Sequence, residues 1–451
     1  MHRTTLALCM IVKDEASIIA ECLESAQSVV DEIVVIDTGS TDDTIAISRS
    51  YGANVFHDPW RNDFSRARNL AKENATSDWI MWLDADEILD KAAHTELRKK
   101  MDRGLQTHKN LEGIYLKILN YLNSVDEEEK ETEHILINSS LRMVKNRPQY
   151  RFVGRVHEQI LPSITTGNPE VVIGEIDVKI HHRGYLYSRI NDKAKIERNK
   201  KLIQISLQEE PHNAFHWYNL GVEFFRNREF AEALVTFQKS MELQHPNESL
   251  CYTHLRKYEL VCLEALGKEN ELIEQTEETL RLFPDFTDIY HIKANYLIKK
   301  GEIRTALATF KKALQIGPPP PSRYVTIQGI GSYLTCLAIG ELYEKLGEYE
   351  EALSYHGEAL QRTQGKLPQA IRGIINIFYK RDSLKKLPNF LKKENLLWDA
   401  HAKEIWRKII QSHTTEKEII ELLDALPVLS TIHNIPRGKQ EKKISHEKRG
   451  K

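Results

Sequence analysis

The amino-acid sequence predicts an α/β domain over residues 1–187, a helical linker over 188–211, an all-α repeat solenoid over 212–429 and a basic, disordered tail over 430–451. Three observations predict this order. Up to residue 187, short apolar runs of β type alternate with helical spacings, the signature of an α/β domain. From residue 212 the same aromatic and small residues recur at fixed offsets. Beyond Leu429 the apolar pattern fades into PRGKQEKKISHEKRGK, which lacks large apolar residues apart from Ile444.

The first strand is LALCMIV, Leu6 to Val12, and the second EIVVID, Glu32 to Asp37. Both are continuous apolar runs, as expected where helices cover a sheet on both faces. Between them Ile18, Ile19, Cys22, Leu23 and Ala26 follow helical spacing. Asn54 to His57 reads as a third strand, Phe64 to Ala75 as a helix, and Trp79 to Leu83 as a fourth strand. Two longer β-type stretches follow, Gly113 to Asn120 and Val171 to His181. The acidic segment Asn123 to Glu133 has almost nothing to bury and reads as a solvated loop.

In the helical half, Trp217, Leu220, Gly221, Phe224, Ala233 and Phe237 match the tetratricopeptide-repeat pattern. Tyr290, Ala294, Leu297, Ala306, Phe310, Ala313 and Pro318 keep the spacing, as do Gly340, Tyr343, Ala352 and Ala359 after a GPPPP interruption. A degenerate unit fills Leu250 to Pro284. One helix pair cannot bury its apolar face alone, so neighbouring pairs must stack.

Composition narrows the function. The 451 residues are 41% apolar and 28% charged, enough to bury sizeable cores. Lys and Arg number 63 against 65 Asp and Glu, a net charge of −2 that argues against a bulk nucleic-acid binder. The 5 cysteines are scattered without a CxxC pair, which argues against a disulfide framework or a cysteine zinc site and for a reducing compartment. No apolar run approaches the roughly 18–20 residues of a membrane span. The opening MHRTTLALCMIVKDE ends in charges rather than a cleavage site and reads as a buried strand. A soluble, cytoplasmic protein is expected.

Four motifs carry candidate chemistry. In WIMWLDADE an apolar strand runs straight into Asp84 and Asp86, where open α/β sheets place ligands. Residues two apart on an extended chain point the same way, so these carboxylates can converge on a Mg²⁺ or Mn²⁺ ion. In VVIDTGSTDDT, Asp37 ends a strand and is placed to accept hydrogen bonds from a ribose or base, while Asp42 or Asp43 caps the next helix. The absence of GK[ST] and of GxGxxG speaks against an ATPase or a dinucleotide enzyme. In WRNDFSRARN, Asn62 or Asp63 caps a helix carrying Arg66 and Arg68, either of which can steady a diphosphate. In RFVGRVHEQI and KIHHRGY, His157 and Glu158 point to opposite faces if the strand is regular; Glu158 can act as general base and His182 can complete a metal shell beside Asp86.

Taken in order, CMIVKDE, VVIDTGSTDDT, DFSRARN and WIMWLDADE resemble the inverting glycosyltransferase family 2, whose GT-A fold is a Rossmann-like mixed sheet. With FVGRVHEQI, HHRGY and the repeats, the resemblance narrows to the branch of SunS-like peptide glycosyltransferases and lipopolysaccharide-core glucosyltransferases. It implies a nucleotide-sugar donor, usually a UDP-sugar, and a divalent cation. By position it implies that Val12 and Glu15 flank the nucleobase pocket, Asp37 binds the nucleoside and Arg68 lies near the diphosphate. Asp84 and Asp86 form the DxD element with Asp86 the direct metal ligand, and His157, Glu158 and His182 complete the site. Asp14 departs from the asparagine the family commonly shows there.

The expected reaction is in-line displacement at the anomeric carbon, with Glu158 as base. A peptide, protein, glycan or lipid accepts the sugar, and the repeats offer either a groove for it or a homodimer surface. Two competing classes are a repeat scaffold with a degenerate α/β passenger and a sugar-phosphate pyrophosphorylase. The latter usually opens with a glycine-rich loop, where this chain has KDEAS.

Overall fold

The computed structural model describes residues 3–91, 93–122, 134–168, 170–183, 192–245, 251–394, 396 and 399–413. The acidic segment Asn123–Glu133, Gly184 and Tyr185 of the HHRGY motif, the first residues of the expected linker and the basic tail lie outside them. The chain forms two compact units, Met1–Gly331 and Ser332–Lys451.

The first unit opens with β1 (Leu6–Val12), α1 (Ile19–Gln27), β2 (Glu32–Asp37), α2 (Thr44–Ser50), β3 (Asn54–His57), α3 (Phe64–Asn74), β4 (Trp79–Trp82), β5 (Glu87–Leu89) and α4 (Ala93–Thr107). Then come β6 (Leu111–Leu122), β7 (His134–Lys145), α5 (Leu161–Thr165) and β8 (Val172–His182). The expected mixed sheet forms in the order β3-β2-β1-β4-β7-β6-β8-β5. β1 runs parallel to β2 and β4, and β2 to β3, whereas β7 is antiparallel to β4.

Alternation along β1 builds both layers. Leu6, Leu8 and Met10 pack with Ile19, Cys22 and Leu23 of α1, while Ala7 and Cys9 pack with Ala67 and Ala71 of α3. The chain leaves β1 toward β2 on one side and returns as β4 on the other. That reversal opens a crevice beyond the carboxyl ends of these strands.

β7 and β8 fix the far half of the sheet. Glu112 on β6 is buried and accepts hydrogen bonds from Lys145 Nζ (2.9 Å), Arg147 Nη2 (2.7 Å) and Tyr150 Oη (2.9 Å). Burial works to raise its pKa, but these donors outweigh it and hold the carboxyl at about 2. Glu112→Gln is expected to cost about 2 kcal/mol in urea unfolding at neutral pH, from weakened hydrogen bonds to charged groups. Because the folded value is depressed, this advantage over the variant is present above the ordinary glutamate range and fades as pH falls through about 2.

The unit continues with α6 (Asp192–Glu209), α7 (Ala214–Arg226), α8 (Phe230–Glu242), α9 (Cys251–Ala265), α10 (Glu269–Leu282), α11 (Thr287–Lys299), α12 (Ile303–Ile316) and β9 (Thr326–Ile327). The repeat residues do as their spacing implies: a Cβ on Gly221 would strike the Phe237 ring, so only glycine lets α7 and α8 cross there. After the GPPPP interruption, β9 pairs with β7, Leu136 opposite Ile327. Asp288 on α11 holds this segment through Lys257 Nζ (2.5 Å) and Thr326 Oγ1 (2.5 Å). Sheet and first repeats therefore share one compact body, and the change of sequence texture at residue 187 is no break in packing.

The second unit holds α13 (Tyr333–Lys345), α14 (Tyr349–Arg362), α15 (Pro368–Lys380), α16 (Leu387–Lys393) and α17 (Ala400–His413). Here Gly340 gives α13 room against His356 of α14. None of the five cysteines is in a disulfide. No described helix is long and apolar enough to cross a membrane.

Candidate functional site

The candidate residues gather at the carboxyl ends of β1, β2 and β4 and at the end of β8. The loop after β1 is set by Asp14, which adopts φ +54. Asp and Asn are the non-glycine residues that tolerate this left-handed conformation best. Its Oδ1 accepts from the Thr41 amide at 2.7 Å and its own amide donates to Ser40 Oγ at 3.0 Å, locking the first loop onto the second. The Glu15 amide donates to Thr44 Oγ1 at 2.8 Å, leaving its carboxyl toward the acidic cluster. Burial first, then the charge of Asp86, pushes that carboxyl up to about 7. Val12 is a core residue, 4% exposed, whose carbonyl accepts from the Thr38 amide at 3.0 Å.

Asp37 is wholly buried and its oxygens are already engaged. They accept from the Gly39 and Ser40 amides, each at 3.1 Å, and Oδ2 meets His57 Nδ1 at 3.0 Å. Rather than lying open to a nucleoside, this carboxylate shapes the turn, and the exposed edge beside it is the His57 ring. Gly39 at φ +116 lets the turn fold back onto Asp37. Asp42, rather than its neighbour, satisfies the start of α2, accepting from the Thr44 amide at 3.0 Å; Asp43 is the N-cap residue by position but makes no side-chain cap.

The DxD element is a turn rather than the extended chain expected. The Glu87 amide donates to the Asp84 carbonyl at 3.0 Å, because β4 ends at Trp82 and β5 begins at Glu87. Asp84 and Asp86 consequently meet different partners. Asp84 Oδ1 accepts from Arg68 Nη2 at 3.0 Å, and Asp86 Oδ2 lies 3.3 Å from His182 Nε2. They still act on a shared neighbourhood, since both charges bear on Glu15 and on His182.

Arg68 is the hub. Asp63 caps α3, accepting from the Arg66 amide at 3.1 Å, while the Arg66 guanidinium is spent on Asp58. Arg68 projects inward over the rings of Trp82 and Phe152, each 5.7 Å from its guanidinium carbon. Its Nε ion-pairs with Glu158 Oε1 and its Nη2 with Asp84, so one guanidinium joins the two carboxylates; Nη1 is buried without a hydrogen-bond partner. Burial opposes the charge on Asp84, but Arg68 and then Arg142 outweigh it and hold that carboxyl at about 2.

His182 reaches Asp86 through strand register. β8 is antiparallel to β5 with His182 opposite Glu87, and parallel to β6 with His182 opposite Asn120. Its Nδ1 faces Asn120 Oδ1 at 2.8 Å. Burial works to lower the His182 pKa, but the hydrogen bond and charge of Asp86, then the charges of Glu87 and Asp84, outweigh it and raise it.

His157 is a correction. Residues 153–159 form a turn closed by a bridge between Val153 and Gln159, not a strand, and His157 adopts φ +55. Glu158 is thereby turned to Arg68, while His157 Nε2 lies 3.4 Å from Glu223 Oε1 on α7, away from the acidic cluster. Sequence reasoning missed Glu223, Asn120, and the pair of Arg142 with Glu87, whose carboxyl burial pushes up to about 6. Glu87 is visible in DADE; the others have no local signal and are delivered by sheet pairing or helix packing.

The donor set suits a divalent cation. Asp86 and His182 offer a carboxylate and an imidazole side by side, and Asn120 can hold the Nδ1–H tautomer that leaves Nε2 free to ligate. Among the described residues no group of three or more His, Cys, Asp or Glu side chains is placed to hold an ion. A cation here would take its remaining ligands from phosphate oxygens and water, the usual arrangement at nucleotide sites.

Residues 7–108 match the model of glycosyl transferase family 2, and residues 287–318 and 335–370 match tetratricopeptide repeats. A TPR repeat-containing protein of Synechococcus elongatus is 28% identical over 325 residues, covering 69% of this chain and 76% of that protein. The SPbeta prophage-derived glycosyltransferase SunS of Bacillus subtilis is 31% identical over 239 residues, 52% of this chain; the match spans about half, 53%, of that relative. An uncharacterized glycosyltransferase of Rickettsia felis is 40% identical over 88 residues, 20% of this chain and 31% of that protein.

Proposed function

We propose, for a chain whose N-terminal domain is that of glycosyltransferase family 2 and whose helical region carries tetratricopeptide repeats, transfer of a sugar with inversion from a nucleotide-sugar donor. The donor is a UDP-hexose and the acceptor a peptide or protein, or else a glycan or lipid. The N-terminal domain supplies the donor site, and the repeats offer a surface for the acceptor. The observation that carries the reading is the Arg68 guanidinium bridging Asp84 and Glu158 at the carboxyl end of β4, next to the Asp86–His182 pair.

In this reading Asp86 and His182 hold Mn²⁺ or Mg²⁺. When bound, the cation supplies Lewis-acid neutralisation of the charge on the departing diphosphate. Arg68, fixed by its two carboxylates and two rings, sets a positive charge beside the departing diphosphate. Glu158 spends Oε1 on Arg68 and has no hydrogen-bond partner on Oε2 among the described residues. That oxygen takes the acceptor's proton as the acceptor attacks the anomeric carbon from the face opposite the diphosphate. Val12 and Asp37 shape the nucleoside end from behind, and His57 and Glu15 line it.

Glu158→Gln separates a base from a scaffold. Transfer is expected to fall on the order of 10²–10⁴-fold, the span of general-base contributions, with donor affinity by calorimetry nearly unchanged. Equal losses in turnover and donor binding would assign Glu158 a structural role instead. Screening UDP-sugars for hydrolysis with Mn²⁺, then mass spectrometry of peptides and glycolipids offered as acceptors, identifies the two substrates.

A further inference from the structure

The turn that carries Glu158 has little structure of its own. Residues 153–159 are closed by two hydrogen bonds between Val153 and Gln159, at 3.0 and 2.9 Å, and include His157 at φ +55. A histidine persists in that region only where its surroundings over-determine it. Those surroundings come largely from the first helices beyond the sheet. Val156 packs with Leu202 and Ile203 of α6 and Leu220 of α7, and Arg155 Nη2 donates to Glu209 Oε1 at 2.7 Å.

Deepest in this contact is Glu223 on α7, with no exposed side-chain surface. The repeat pattern that specifies Trp217, Leu220, Gly221 and Phe224 makes no demand at position 223, and a carboxylate is costly to bury without partners. Glu223 accepts from Asn199 Nδ2 at 3.0 Å and from Arg226 Nη1 at 3.4 Å, and His157 Nε2 lies 3.4 Å away, within ion-pair distance but without hydrogen-bond geometry. His157 precedes Glu158 in the chain, so whatever holds one ring sets the next carboxylate.

We propose that Glu223 is a positioning residue for Glu158: through its 3.4 Å contact with the His157 ring it steadies the 153–159 turn so that Glu158 lies on Arg68. The claim rests on Glu158 serving the transfer reaction, and it makes the first helix pair part of the transferase site rather than an appended binding module.

The test compares full-length wild type with His157→Asn, Glu223→Ala, the double variant and Glu223→Gln. Asparagine tolerates the left-handed backbone, so His157→Asn removes the ring's reach while sparing the fold. Two readouts are taken: kcat and KM for UDP-glucose, UDP-galactose and UDP-N-acetylglucosamine hydrolysis with Mn²⁺, and amide hydrogen exchange at residues 153–159. Each single variant is expected to lower kcat on the order of 10–10²-fold, as a small misplacement does, with KM within about twofold. Exchange at 153–159 should rise, the double variant should be no worse than the poorer single one, and Glu223→Gln should recover part of kcat. Unchanged exchange in His157→Asn, additive losses, or KM rising in step with the fall in kcat would overturn the proposal. A wild type that hydrolyses none of the three donors would count against the transferase reading, and the exchange measurement would still decide the positioning claim.

Discussion

Replacing Asp86 by alanine should lower Mn²⁺-supported donor turnover on the order of 10²–10³-fold, the cost of removing one group that stabilises charge developing in a transition state. Asp86 sits 3.3 Å from His182 Nε2, and strand register fixes His182 opposite Glu87, so Glu87 cannot move into the vacated place without breaking the β5–β8 pairing. Wild-type-like turnover with saturating Mn²⁺ would refute the metal assignment. A second readout needs no activity. Asp86 is the foremost influence raising the His182 pKa against burial, so an NMR titration should find the imidazole protonating at lower pH in Asp86→Ala than in wild type. An unchanged titration would mean that the Asp86–His182 contact does not exist in solution.

Arg68→Ala should be the most damaging single substitution in the site, in stability as well as in turnover. It leaves Asp84 and Glu158 without their cation and strips a guanidinium from between Trp82 and Phe152. Losing one partner of a buried ion pair costs about 3–5 kcal/mol; the lower end applies here because the Asp84 side chain is 42% exposed and water screens part of the penalty. Arg68→Lys keeps the charge but cannot span both carboxylates in one plane, and should recover part of the stability and little of the turnover. The pH dependence has a definite sign. The Asp84 carboxyl is depressed to about 2, so the stability gap between wild type and Arg68→Ala is fully present above the ordinary aspartate range and narrows as pH falls through about 2. Urea unfolding at pH 7 and near pH 2 checks both parts. A variant as stable as wild type at pH 7 would show that the guanidinium is not bridging.

Much of the α/β framework is legible because its signals are local. Leu6–Val12, Glu32–Asp37 and Asn54–His57 read as strands from apolar runs, and they form with those bounds. Of the two candidate caps, Asn62 and Asp63, the latter caps α3. The geometry within motifs is less legible. DADE reads as extended from its strand, yet Glu87 must pair with β8, and the chain has to turn at Ala85 and Asp86 to bring it there. FVGRVHEQI reads as a strand from its composition, but its apolar Val156 is claimed by α6 and α7 rather than by a neighbouring strand.

The sequence by itself determined the chemical inventory: a strand ending in Asp37, a strand running to Asp84 and Asp86, an arginine-bearing helix and stacked helix pairs with small residues at their crossings. These depend on side-chain period and backbone preference, which act over a few neighbouring residues. Only the tertiary structure decided the pairing. It gave Arg68 to Asp84 and Glu158 across 16 and 90 positions of chain, His182 to Asp86 by the register of β8, and His157 to Glu223 on a helix of the repeats. Ion pairs form between whatever charges packing brings within reach, and packing is settled by how sheet and helices bury their apolar faces together, a property no short window of sequence contains.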